Sequence, residues 1–119
     1  MVMLGGGVGS LARYLVSLAI NERTGNRFPV GTTVVNVTGS FLIGVFMVLL
    51  AERLQPNSNL QLLLVVGFLG GYTTFSTFEF ETYRALQSGN NWVGMLNLIA
   101  SVVLGLAGVW LGTTVARRF

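Results

Sequence analysis

Gly67-Phe68-Leu69-Gly70-Gly71-Tyr72-Thr73-Thr74-Phe75-Ser76-Thr77-Phe78 is the stretch that decides how this chain is read. Glycines and hydroxylated residues alternate there with apolar ones, inside a long apolar context. Glycine accepts backbone dihedrals that other residues do not, and paired β-branched threonines hold a helix poorly. The stretch therefore predicts backbone that breaks at membrane depth, with hydroxyls forming a polar track beside it. Irregular backbone survives in the hydrocarbon zone only where protein or a water-filled cavity covers it. Freed carbonyls there suit a cation, and freed N–H groups and hydroxyls suit an anion.

The rest of the chain supports a membrane setting. Of its 119 residues, 52% are hydrophobic and 9% are charged, against about 25% charged in an ordinary soluble domain. Too little polar surface remains to face water. Three breaks, at residues 21–27, 52–59 and 84–91, leave four apolar stretches at about 1–20, 28–51, 60–83 and 92–116. Each approaches the roughly 20 residues a spanning helix needs. The N-terminal stretch lacks the leading basic residues of a signal peptide and reads as the first span. The chain is thus expected to be a single all-α transmembrane domain covering residues 1–119.

A net charge of +3 does not point to nucleic acid, because the arginines are scattered apart from Arg117 and Arg118. With no cysteine and no histidine, thiolate or imidazole metal sites and histidine or cysteine catalysis are excluded. No nucleophile–base pair suggests an enzyme. Four spans place both termini on one side. Arg53, Arg117 and Arg118 then border that side, and Arg23, Arg27 and Arg84 border the other. The positive-inside rule reads orientation from the difference, and here the two sides balance. Either both orientations insert, which would favour an antiparallel dimer, or weaker signals decide one.

Small residues recur four apart where helices should meet: Gly5 and Gly9 in the first span, Asn36, Ser40 and Gly44 in the second, Asn97, Ser101 and Gly105 in the fourth. Such spacing lets helix backbones approach closely in lipid. Asn36 stands apart from the packing residues. It falls about 12 Å into its span, where an amide is costly without a partner, so it is either interhelical glue or part of a polar pathway. Arg13 is an intramembrane cation that could draw anions to a vestibule or pair with Glu81; Glu81 itself reads as a pathway residue or an interface charge. Phe75 and Phe78 share a helix face. Their positive ring edges, the hydroxyls and the Asn36 amide offer partial positive charge without a full cation. The same pair also reads as two core phenylalanines beside a kink.

Three motifs carry a family resemblance: Gly-Gly-Val-Gly-Ser-Leu-Ala-Arg-Tyr at 6–14, Asn-Val-Thr-Gly-Ser-Phe-Leu-Ile-Gly at 36–44, and Gly-Phe-Leu-Gly-Gly-Tyr-Thr-Thr-Phe-Ser-Thr-Phe-Glu-Phe-Glu at 67–81. Over nearly its whole length the chain resembles the CrcB/Fluc family of fluoride channels. That resemblance implies a four-helix subunit with a broken third helix, assembled as an antiparallel, dual-topology homodimer with two pores. It implies a passive channel exporting fluoride across a bacterial cell membrane (the inner membrane in a Gram-negative cell) and so reducing fluoride toxicity. By resemblance, Phe75 and Phe78 line the fluoride path, Asn36 donates to the ion, Thr77 belongs to the polar track, and Ser101 contributes from the fourth helix. Gly70 and Thr73 would give backbone carbonyls to a structural Na+ at the dimer centre, and Arg13 and Glu81 become vestibule or gating candidates. Asn97 stands where some members carry a tyrosine or another hydroxylated residue. The rival reading is a small four-helix proton-coupled multidrug exporter, which needs a carboxylate deep in its first helix; no Asp or Glu precedes Glu22.

Overall fold

The computed structural model describes residues 1–25, 28–53 and 57–119. Arg27, one of the border charges counted above, lies outside them. Helix α1 is Val2–Thr24 and α2 is Val30–Val48, which widens into a π-helical turn at Leu49–Arg53. A short α3, Ser58–Gln61, runs into a π-helical segment at Leu62–Leu69 and then α4, Gly70–Tyr72. Helix α5 is Phe75–Gln87 and α6 is Asn91–Arg118.

These elements make 4 spans long and apolar enough to cross a membrane: Val2–Thr24, Val30–Arg53, Ser58–Gln87 and Asn91–Arg118. The predicted spans fall on them within a few residues. The described residues extend 51 Å along the longest axis, more than the about 40–45 Å of a bilayer with its headgroups.

Helix ends follow local chemistry. Gly25, at φ 74°, ends α1 and donates its N–H to the Asn21 carbonyl at 3.0 Å. Gly89, at φ 84°, turns the chain from α5 into α6. Both angles lie in the left-handed region that favours glycine. Asn57 caps α3 by accepting from the Leu60 N–H at 3.1 Å.

Glycines set the packing distances. Helix α1 lies along the π-helical segment and α4, and α2 lies along α6. A Cβ at Gly5 would overlap the Leu63 carbonyl, and one at Gly9 the Phe68 carbonyl. Across the other pair, a Cβ at Gly112 would overlap the Phe41 carbonyl, and one at Gly108 would stand 3.1 Å from the Val37 carbonyl. Backbone meets backbone at both seams, as expected where dispersion rather than a hydrophobic force joins helices in lipid. The interior is correspondingly thin. Among the described residues, Val35 and Asn97 are the large side chains with essentially no exposure, while Met3, Leu11, Trp92, Leu106 and Trp110 face outward.

Candidate functional site

The helical path of the third span stops at Tyr72. Thr73 (φ −85°, ψ 156°) and Thr74 (φ −146°, ψ 115°) are extended, and α5 begins at Phe75. The glycines do not supply these dihedrals, contrary to the sequence reading: Gly70 is helical at φ −61°, ψ −37°. Gly71 instead makes room for α1, because a Cβ there would overlap the Gly6 carbonyl. The two threonines take the extended conformation, which β-branched residues favour.

Asn36 holds that conformation from α2. Its Oδ1 accepts from the Thr74 N–H at 2.8 Å, and its Nδ2 donates to the Thr74 carbonyl at 3.0 Å. One amide side chain thus pairs with both backbone groups of a residue that has left its helix, which removes the cost of burying them unpaired. Thr74 also caps α5. Its Oγ1 accepts from the Thr77 N–H at 3.4 Å and donates to the Thr77 hydroxyl at 3.0 Å. The sequence reading took Thr74 for a helix breaker only; a threonine three residues before another hydroxylated residue, ahead of a helix, was the available signal.

The interruption frees carbonyls from Gly70 to Thr73, and two of them can be followed bond by bond. In an unbroken helix the Thr74 N–H would bond the Gly70 carbonyl and the Thr77 N–H would bond the Thr73 carbonyl. Here the first goes to Asn36 and the second to the Thr74 hydroxyl. Among the described hydrogen bonds, nothing else reaches either carbonyl. The space beside Gly70 is open, since a Cβ there would meet no atom within 4 Å.

An open cavity of about 440 Å³ adjoins the interruption. Asn36, Gly70, Thr73, Phe75, Phe78 and Ser101 all line it. Phe78 is buried at 6% exposure, whereas Phe75 is 74% exposed. Their ring centroids lie 6.0 Å apart with planes tilted by 59°, so the pair offers ring edge as well as face. Thr77 is one step back: it is not part of the lining and is tied to Thr74.

A second cavity, of about 420 Å³, opens between the α1–α2 and α5–α6 connections, with Asn21, Glu81, Arg84 and Asn90 in its wall. Polar side chains fill the ground between the two. Ser101 donates to Asn97 Oδ1 at 3.4 Å, Asn97 Nδ2 donates to Thr82 Oγ1 at 2.9 Å, and Thr32 donates to Glu81 Oε1 at 2.8 Å. Thr33 Oγ1 lies 3.3 Å from Asn97 Oδ1. Asn97, one of the small residues the spacing put where helices meet, is 1% exposed and joins α2, α5 and α6. Hydropathy marks neither its burial nor the part of Thr82. Arg13 lines neither cavity, and it does not pair with Glu81 within the chain. The ion pair among the described residues is Arg117 with Glu52, at 3.2 Å.

The comparisons with known proteins agree with one another. The family model described as CrcB-like protein, Camphor Resistance (CrcB), matches residues 1–113. A protein of Solibacter usitatus named "Fluoride-specific ion channel FluC" is 60% identical over 118 residues, covering 99% of this chain and 97% of that protein. One of the same name from Acidobacterium capsulatum is 48% identical over 117 residues, covering 98% and 94%. Another, from Coxiella burnetii, is 45% identical over 119 residues, covering 99% and 96%.

Proposed function

The chain belongs to the CrcB-like family, and from that premise we propose that it is a passive, fluoride-selective channel that lets fluoride leave the cytoplasm and so reduces its toxicity. The observation that carries this reading is the open cavity in which Asn36, Phe75, Phe78 and Ser101 come together beside the interruption. Fluoride is small and strongly hydrated, so a pathway must replace its water closely without trapping it. Asn36 has a second Nδ2 hydrogen beyond the one given to Thr74, and that hydrogen is the donor offered to the ion. The rings of Phe75 and Phe78 present positive edges, and the Ser101 hydroxyl can rotate to donate. The first N–H groups of α5 add the positive end of a helix. Among the described residues no arginine lines this cavity, so none there binds the anion too tightly to release.

From the cavity, fluoride moves past Thr77 and the Asn97–Thr82–Thr33 cluster toward the vestibule walled by Glu81 and Arg84. Arg13 serves the approach from the α1 side. Hydrogen fluoride enters a cell neutral and ionises inside. The membrane potential, negative inside, then drives the anion out through the channel without covalent chemistry.

The functional unit is an antiparallel homodimer in the bacterial cell membrane, the inner one in a Gram-negative organism. The exposed Phe75 ring and the open space at Gly70 are the surfaces a second copy completes. The Gly70 and Thr73 carbonyls fit a hard cation, which takes oxygen ligands, and two subunits would offer four of them to a structural sodium ion. Bound there, sodium supplies a fixed positive charge at the centre of the dimer. The drug-exporter reading is not favoured, because the near-full-length relatives above are named as fluoride channels.

Purified protein in liposomes, loaded with fluoride or with chloride, tests the reading. Rapid fluoride efflux with chloride retained is expected; no fluoride efflux, or equal chloride efflux, would overturn it.

A further inference from the structure

Three consecutive residues across the interruption are held by three nearby positions of α2. Asn36 takes Thr74, as described above. Gly39 receives Thr73 and Tyr72 together: a Cβ on Gly39 would overlap the Thr73 methyl group and stand 3.4 Å from the Tyr72 ring. The third hold is a hydrogen bond of 2.9 Å between the Tyr72 and Thr38 hydroxyls. Proton counting gives its direction. Thr38 has one hydroxyl hydrogen, and its Oγ1 lies 2.7 Å from the Val34 carbonyl, so Tyr72 is the donor and Thr38 the acceptor. The Tyr72 ring is 7% exposed and stacks on Phe68 with centroids 5.7 Å apart and planes 9° from parallel. The hydroxyl therefore has little freedom to find another partner.

Tyr72 is the last helical residue before Thr73. Its ring position and its hydroxyl bond fix where the helix ends and the extended pair begins. They fix in turn how the Gly70 and Thr73 carbonyls stand, one on each side of Tyr72. Thr73 cannot set this alone. Its hydroxyl donates back to the Leu69 carbonyl at 2.8 Å, a bond that moves with the helix end. We propose that the Tyr72–Thr38 hydrogen bond is a latch that positions the Gly70 and Thr73 carbonyls for a sodium ion. Tyr72 and Thr38 are thus positioning residues that touch neither the cation nor the anion. This rests on the sodium reading given above.

The test uses the full-length protein in detergent and follows its melting midpoint as sodium chloride replaces choline chloride at constant ionic strength. A ligand that binds only the folded protein raises the midpoint with concentration, so the titration yields a half-saturating sodium concentration. Y72F removes the hydroxyl and keeps the stacked, buried ring. It is expected to raise the half-saturating concentration by about tenfold, the scale of one hydrogen bond lost. T38V should match it, the double variant should add nothing further, and T38S should retain the wild-type value. A role in general stability alone would lower the midpoint equally at every sodium concentration and leave the half-saturating value unchanged; that result for Y72F would overturn the latch. A wild-type protein whose midpoint is the same in sodium and choline would overturn the sodium reading and the latch with it.

Discussion

Asn36→Leu removes both side-chain bonds to the Thr74 backbone while nearly keeping side-chain volume. Two hydrogen bonds, of 2.8 and 3.0 Å, are lost together. If the interruption stays rigid, the Thr74 N–H is left without a partner, at about 1–3 kcal/mol, while its carbonyl, which as the N-cap also begins the α5 ladder, loses one of two bonds at about 0.5–1.5 kcal/mol. The chain has one escape. The Thr74 N–H can return to the Gly70 carbonyl, extending the helix by a residue and reducing the net loss to about 1–3 kcal/mol. That escape consumes a carbonyl assigned to the cation and displaces Phe75. The variant is therefore expected to fold, to lose about 1–3 kcal/mol in an SDS unfolding titration, and to lose at least tenfold in fluoride efflux from liposomes. Hydrogen exchange of the peptide spanning 70–78 should change with it. Wild-type stability, within about 0.5 kcal/mol, together with wild-type efflux would refute the pairing of Asn36 with the interruption as the feature that makes the site.

Replacing Phe75 and Phe78 together by isoleucine should abolish most fluoride efflux while size-exclusion chromatography shows assembly unchanged; equal losses of both would mean the rings serve packing alone. Gly112→Val sets two methyl groups against the Phe41 backbone, which cannot yield as a flexible side chain would, so it should cost several kcal/mol and reduce the yield of folded protein; near-normal melting would contradict the close α2–α6 seam. Glu52→Gln breaks an ion pair whose side chains are 62% and 47% exposed. Such pairs contribute about 0–1 kcal/mol, so its melting midpoint and efflux should stay close to wild type.

The four spans were legible because hydropathy integrates over about 20 residues, and the punctuation at Gly25, Pro56 and Gly89 lies between apolar runs. The close approaches at Gly5, Gly9 and Gly44 were legible as spacing. Within the run at 67–78, Gly70, Gly71, Thr73 and Thr74 all read as breakers; the two threonines are extended and the glycines stay helical. Local propensity favours glycine as the breaker, whereas Asn36, 38 residues away in sequence from Thr74, decides which residues leave the helix. A single-chain reading weighs neighbours in sequence and has no means of finding that partner. Asn97 shows the same limit. Spacing put it where helices meet, but did not show that Thr82 and Ser101 converge on it, with Thr33 close by. The separate exposures of Phe75 and Phe78 were also hidden, because shared helix face says nothing about which ring meets the rest of the subunit.

The most direct test of the channel reading is the reversal potential of the purified protein in a planar bilayer with fluoride on one side and chloride on the other. A current that reverses near the limit set by the fluoride gradient alone is expected. Reversal near zero in equal concentrations of the two anions, or no current at all, would contradict the assignment.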